Sequence, residues 1–154
     1  LVLCGSRSYP KRGYLASVIS MNYSGGRIAT THHDHTSYVV STAGEQAMAN
    51  ILPVYLDHII NPLLSDHLVK TQVYHYDSKG EEMGVVYNEM RSKEFVPVGM
   101  AYMQMRKMLY RPSSSYPHFS GGYTSEIATL THEEIVAYHQ RFYDPCNITV
   151  VLVG

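Results

Sequence analysis

The chain has 154 residues, a formal charge of −1 with histidine neutral, 14 tyrosines and no tryptophan. That length can carry one domain with a real core. The balanced charge, without a run of like sign, argues against a nucleic-acid or anionic-membrane partner, and no segment reaches the continuous apolar length of a membrane span. Cys4 and Cys146 stand too far apart for a CxxC metal knuckle, and two isolated thiols fit a reducing compartment better than a disulfide scaffold.

Tyr9-Pro10 opens the first helical pattern, with Tyr14, Leu15, Val18, Ile19 and Asn22 at helical spacing. Ser24-Gly25-Gly26 ends it, and Arg27 to Thr31 reads as short and extended. Thr36 to Thr42, rich in β-branched residues, reads as a strand, joined to the previous one by the polar His32–His35 turn. A long helix begins near Gly44. Its apolar stripe is Met48, Ile51, Leu52, Tyr55, Leu56, Ile59 and Ile60, with Pro53 as a candidate kink. Asn61-Pro62 stops it, and Leu68 to Tyr76 alternates enough to suggest a short strand.

Glu81 to about Tyr110 reads as helical, with a break expected at Pro97 and Gly99, since proline costs about 3 kcal/mol in a helix interior. Arg111 to Tyr123 is a loop. Thr131 with Glu134 has capping-box spacing and starts a last helix. Asp144-Pro145 turns the chain, and Asn147 to Val153 reads as a buried strand. The mixture is α+β: an antiparallel or mixed sheet with several helices.

Two places hold candidate chemistry. In GVVYNEM, Glu89 follows Glu82 by two helical turns, so one continuous helix would place both carboxylates on one face, about 10 Å apart. On spacing alone the pair fits either a solvated acidic face, which Glu81 favours, or a cation-facing pair, since buried carboxylates need compensation. The second place is His32, His33, Asp34 and His35. Neighbouring residues of an extended segment point to opposite faces, so His33 and His35 could share a metal whereas His32 and His33 could not. A polar turn organised by Asp34 is the competing reading. There is no GxSxG elbow and no phosphate-binding glycine loop.

Several segments, in order, resemble the pitrilysin/insulinase-type zinc metallopeptidases, especially their presequence-protease-like branch. They are YPKRGYLASV, IATTHHDHTSYVVSTAG, ILPVYLDHIINPLL, GVVYNEM and SGGYTSEIATLTHEEIVAYHQRFYDPCNITVVLVG. The resemblance implies a peptidase half-module of a clamshell, with residues 1–154 forming most of an N-terminal domain. The family's HxxEH motif, two zinc-binding histidines and a catalytic glutamate, is absent from these 154 residues. Leu1 is expected to follow directly on the motif's last histidine, and the chain to be cut from a longer, active zinc endopeptidase. The rival expectation is a non-catalytic structural or peptide-binding homologue.

By that resemblance Glu89 is the distal zinc ligand, and Glu82 supports a histidine ligand from behind. Ala29 and Thr30 lie on the edge strand that takes an extended peptide by strand addition. Ile28 departs from the asparagine common at its place. Zinc is the implied cofactor, its site incomplete in this chain. The implied partners are a peptide and the remaining domains of the parent chain. Relatives exist in cytoplasm and mitochondria; the expected location is cytoplasmic, with mitochondrial as the alternative.

Overall fold

The computed structural model describes residues 2–154, without the side chains of residues 26–28. Leu1 and the side chain of Ile28 therefore lie outside the described residues. Among the described residues, seven α-helices and two small two-stranded sheets give the α+β architecture that the sequence implies. Contacts divide the chain into two compact units.

The first unit comprises Leu1–Ile28, Val39–Leu68 and Thr131–Gly154. Its centre is α1 (Tyr14–Met21) and α2 (Glu45–Ile60). Leu15, Val18 and Ile19 from α1 are buried, as are Ala47, Ile51, Val54, Tyr55 and Ile59 from α2. These positions recur every three or four residues, so each helix turns one apolar stripe inward. Helix α2 runs unbroken through Pro53. Residues just before α1 run beside the end of α2: Ser6 bridges to Pro62, and Leu63 N donates to Gly5 O at 2.9 Å.

The last helix, α7 (His132–Phe142), begins with the capping box read from sequence. Thr131 Oγ1 accepts from Glu134 N at 3.2 Å, and the Glu134 carboxylate accepts from Thr131 N at 2.9 Å. Two imidazoles tie α7 down: His132 contacts Leu64 O at 2.7 Å and His139 contacts Ile59 O at 2.9 Å. Both cysteines are free thiols.

The second unit comprises Ala29–Tyr38 and Val69–Leu130. A hairpin, β3 (His75–Tyr76) with β4 (Glu82–Met83), pairs antiparallel in the register His75 to Met83 and Tyr76 to Glu82. It is followed by α4 (Val85–Glu94), α5 (Pro97–Leu109) and the single turn α6 (Thr124–Ile127). The expected break falls at Phe95-Val96, and Pro97 takes the first turn of α5, where its missing N–H costs nothing. Glu94 carries α6: one carboxylate oxygen accepts from Thr124 N at 3.0 Å and Oγ1 at 2.6 Å.

Strand β1 (Gly25–Thr31) pairs with β2 (Thr36–Ser41) across the polar turn, which His32 N closes on His35 O at 2.8 Å. So short a connection makes a hairpin, because parallel strands need a long crossover.

Two expectations are corrected. Residues 68–72 belong to a helix, α3 (Asp66–Gln72), which buries Val69; only His75 and Tyr76 are extended into a ladder. Alternation was a weak guide there because a seven-residue helix shows barely two turns of pattern. Residues 148–153 carry no ladder, and Val150, Val151, Leu152 and Val153 are exposed. An apolar run becomes a strand only when a neighbour takes its backbone groups, and no described strand of this chain does so.

Candidate functional site

The corner between β4 and α4 positions the first acidic residue. Gly84 turns it with φ 141° and ψ 142°. A Cβ there would stand 2.2 Å from Val73 O and 2.7 Å from Val73 C, so only glycine lets the two backbones approach this closely. Tyr87 N then donates to the same Val73 O at 3.3 Å. With the corner fixed, Glu82 on β4 faces two phenols. Tyr74 donates to Oε1 at 2.9 Å and Tyr87 to Oε2 at 2.5 Å. The Tyr74 and Tyr87 rings meet edge to face at 5.0 Å.

Hydrogen bonds to a carboxylate favour its charged form. The Tyr87 bond first, then the Tyr74 bond, hold Glu82 below its ordinary pKa, against a smaller opposing effect of burial. The phenols move the other way. Tyr87 is raised, chiefly by Glu82, and Tyr74 is raised beyond the usual phenol range, by its hydrogen bond with Tyr76, by burial and by Glu82.

This corrects the geometric expectation for the acidic pair. Glu82 and Glu89 do not share a helix face: Gly84 separates β4 from α4, and Glu89 alone is helical. Glu89 is exposed and pairs with Lys93 one turn along, Nζ to Oε1 at 2.5 Å, with both side chains more than half open to solvent. Such a pair contributes little, roughly 0.3–0.5 kcal/mol for this spacing. It leaves the carboxylate on the surface of α4.

Ala29 and Thr30 are exposed on β1, whose strand neighbour among the described residues is β2. In the adjoining turn Asp34 pairs with His35 at 2.8 Å, and the His32 and His35 rings stack at 4.2 Å. His33 points elsewhere, to the Tyr116 ring at 5.6 Å. The turn reading therefore describes this segment.

A catalytic zinc takes three protein ligands and an open position. Among the described residues no group of three His, Cys, Asp or Glu side chains could hold a metal ion. The residues of this chain alone do not fit a complete zinc centre. Glu89 is a single accessible donor, and Glu82 is a carboxylate held by two phenols.

The sequence reading passed over a further cluster. Arg106 on α5 is 6% exposed, and its guanidinium lies 5.4 Å from the Tyr102 ring, 5.7 Å from Tyr110 and 5.7 Å from Tyr116. Nε donates to Tyr116 O at 2.6 Å, whereas Nη2 is buried without a hydrogen-bond partner. The Tyr110 and Tyr116 rings stack at 5.1 Å. Tyr116 also reaches Asp34 Oδ2 at 3.5 Å. Burial, then the Arg106 charge, hold the neighbouring His33 below its ordinary pKa. The signal was present in the sequence. Tyr102 and Tyr110 stand four residues either side of Arg106, where helical geometry stacks side chains.

No family model matches the chain. Over its whole length it is 38% identical to an uncharacterised protein of Schizosaccharomyces pombe, of which it covers 15%. It is 31% identical to the mitochondrial presequence protease of Eremothecium gossypii, the match taking in 99% of this chain and 16% of that protein. Among solved structures, pitrilysin shares the fold with a TM-score of 0.67 and 19% identity, over 92% of this chain and 14% of that one. The chain thus spans about a sixth of the length of the curated relatives it matches. The chain is thus similar in sequence to presequence proteases along nearly its whole length, and it shares its fold with pitrilysin.

Proposed function

We propose that the chain is part of a zinc metalloendopeptidase that hydrolyses unstructured peptides. The observation that carries this reading is the 31% identity to a presequence protease across 99% of the chain. In the longer protein, Glu89 is one zinc ligand and an HxxEH segment outside these residues supplies the others. Bound there, the metal supplies polarisation of a scissile carbonyl and a water of lowered pKa.

The residues on hand have definite tasks. Glu89 stands on a helix, which holds a ligand more rigidly than a loop. Glu82 keeps its negative charge because two phenols donate to it. A carboxylate oxygen retains a second lone pair, so Glu82 can still accept an imidazole N–H and fix that ring's tautomer. Ala29 and Thr30 are small and exposed on β1, so an extended peptide can lie along that backbone. With a single ligand, the 154-residue chain by itself turns over no peptide. The presequence proteases named as mitochondrial support the mitochondrial location over the cytoplasmic one.

Metal analysis and digestion of an unstructured peptide by the longer protein test this reading. Glu89→Gln is expected to abolish both zinc retention and turnover. Glu82→Gln is expected to weaken zinc affinity about 10–100-fold. Full activity and zinc content in Glu89→Gln would overturn the assignment. The second reading, a non-catalytic homologue, draws on the Glu89–Lys93 pair, which already occupies the candidate ligand. A longer protein without HxxEH and without zinc would establish it.

A further inference from the structure

Arg106 is a buried cation without an anion. Three tyrosine rings surround its guanidinium, and a single carbonyl accepts from Nε. Aromatic faces attract a cation but do not satisfy its N–H donors. Nη2 is left bare in a buried setting, where an unpaired donor is costly. Among the described residues no carboxylate pairs with it. The acid brought near, Asp34, is engaged by His35 at 2.8 Å and by the Tyr116 hydroxyl at 3.5 Å.

The surroundings have the features of a recognition site. Tyr102 and Tyr110 are exposed, so the aromatic cluster opens to solvent although Arg106 itself does not. His33 leans on the outer ring, Tyr116, at 5.6 Å. A guanidinium presents parallel N–H donors that match the two oxygens of a carboxylate. Flat rings admit a planar carboxylate more readily than a tetrahedral phosphate.

We propose that Arg106, flanked by Tyr102, Tyr110, Tyr116 and His33, is the anchor of a carboxylate-binding subsite. Its ligand is the carboxylate of a peptide terminus or of a small organic acid. One oxygen takes Nη2, with a small displacement of the tyrosine rings, and the other faces the solvent at the open side of the cluster. The inference is independent of Glu89 and of zinc.

The test titrates the intact protein with N-acetylglycine and, in parallel, with N-acetylglycinamide. The readout is the NMR resonance of the Arg106 side-chain N–H groups, so the unaltered protein suffices. A saturable shift is expected with the acid, reached only at higher concentration with the amide. Affinity for the acid should exceed that for the amide on the order of tenfold, as a charge-assisted hydrogen bond provides. A five-residue peptide with a free carboxyl end, binding more tightly than N-acetylglycine, would identify the peptide terminus as the source; equal binding would identify a small acid.

Asp34→Asn removes the competing negative charge and should tighten acid binding severalfold. An Arg106 resonance unmoved by the acid, or moved equally by the amide, would overturn the proposal. So would acid binding left unchanged by Asp34→Asn.

Discussion

The two units are held together by different chemistry. The first rests on two helices whose buried faces are apolar apart from His58, which is fully buried with Nδ1 on Val54 O at 2.8 Å. The second buries fewer aliphatic residues and inserts polar devices among them: the Glu82 clamp, the Glu94 hold on α6 and the caged Arg106. Apolar packing tolerates small shifts, whereas hydrogen-bonded charges demand fixed geometry. Candidate chemistry therefore concentrates where the core is least oily.

The largest expected effect breaks the second unit alone. Gly84→Ala forces a side chain into the Val73 backbone at a φ that L-residues rarely adopt. A loss of about 4 kcal/mol or more is expected, with denaturation showing collapse of signals from Tyr74 and Tyr87 first. Equal loss throughout the chain would mean that the two units unfold as one.

Next comes Leu15→Ala in the first unit, where the side chain is wholly buried. It should cost about 3 kcal/mol in urea denaturation, while the Tyr74 and Tyr87 signals keep their native environment. Thr131→Ala removes the α7 cap and should cost about 1 kcal/mol, read in the same way.

A pH titration sharpens the contrast further. The folded pKa of Glu82 lies below its unfolded value, so its contribution is present above the ordinary carboxylate range. It is lost as pH falls through the lowered value. Tyr87→Phe should shrink that acid-side loss, whereas Leu15→Ala should leave it unchanged. Thermal melts between neutral pH and about pH 3 measure both.

The first unit was largely legible in the sequence. The stripe from Ile51 to Ile59 and the Thr131–Glu134 box are local patterns, and local patterns survive folding. The second unit was legible in part. GVVYNEM drew attention to Glu82 and Glu89, yet the helix assumed to join them starts only after Gly84. The reason is tertiary: the corner lies against Val73, eleven positions back, and helical periodicity contains no such contact. Tyr74 as a partner of Glu82 was hidden likewise, because hairpin register decides it. Arg106 was missed because a lone arginine among methionines reads as surface, although its flanking tyrosines marked it.

The bare run at residues 150–153 bears on handling the protein. Aliphatic β-formers without charge, left open to water, are the composition from which intermolecular ladders grow. Concentrated stocks of this 154-residue chain should turn turbid from that segment outward. A lysine in place of Val151 would act as a gatekeeper against such growth, at little thermodynamic penalty to a side chain that touches so little.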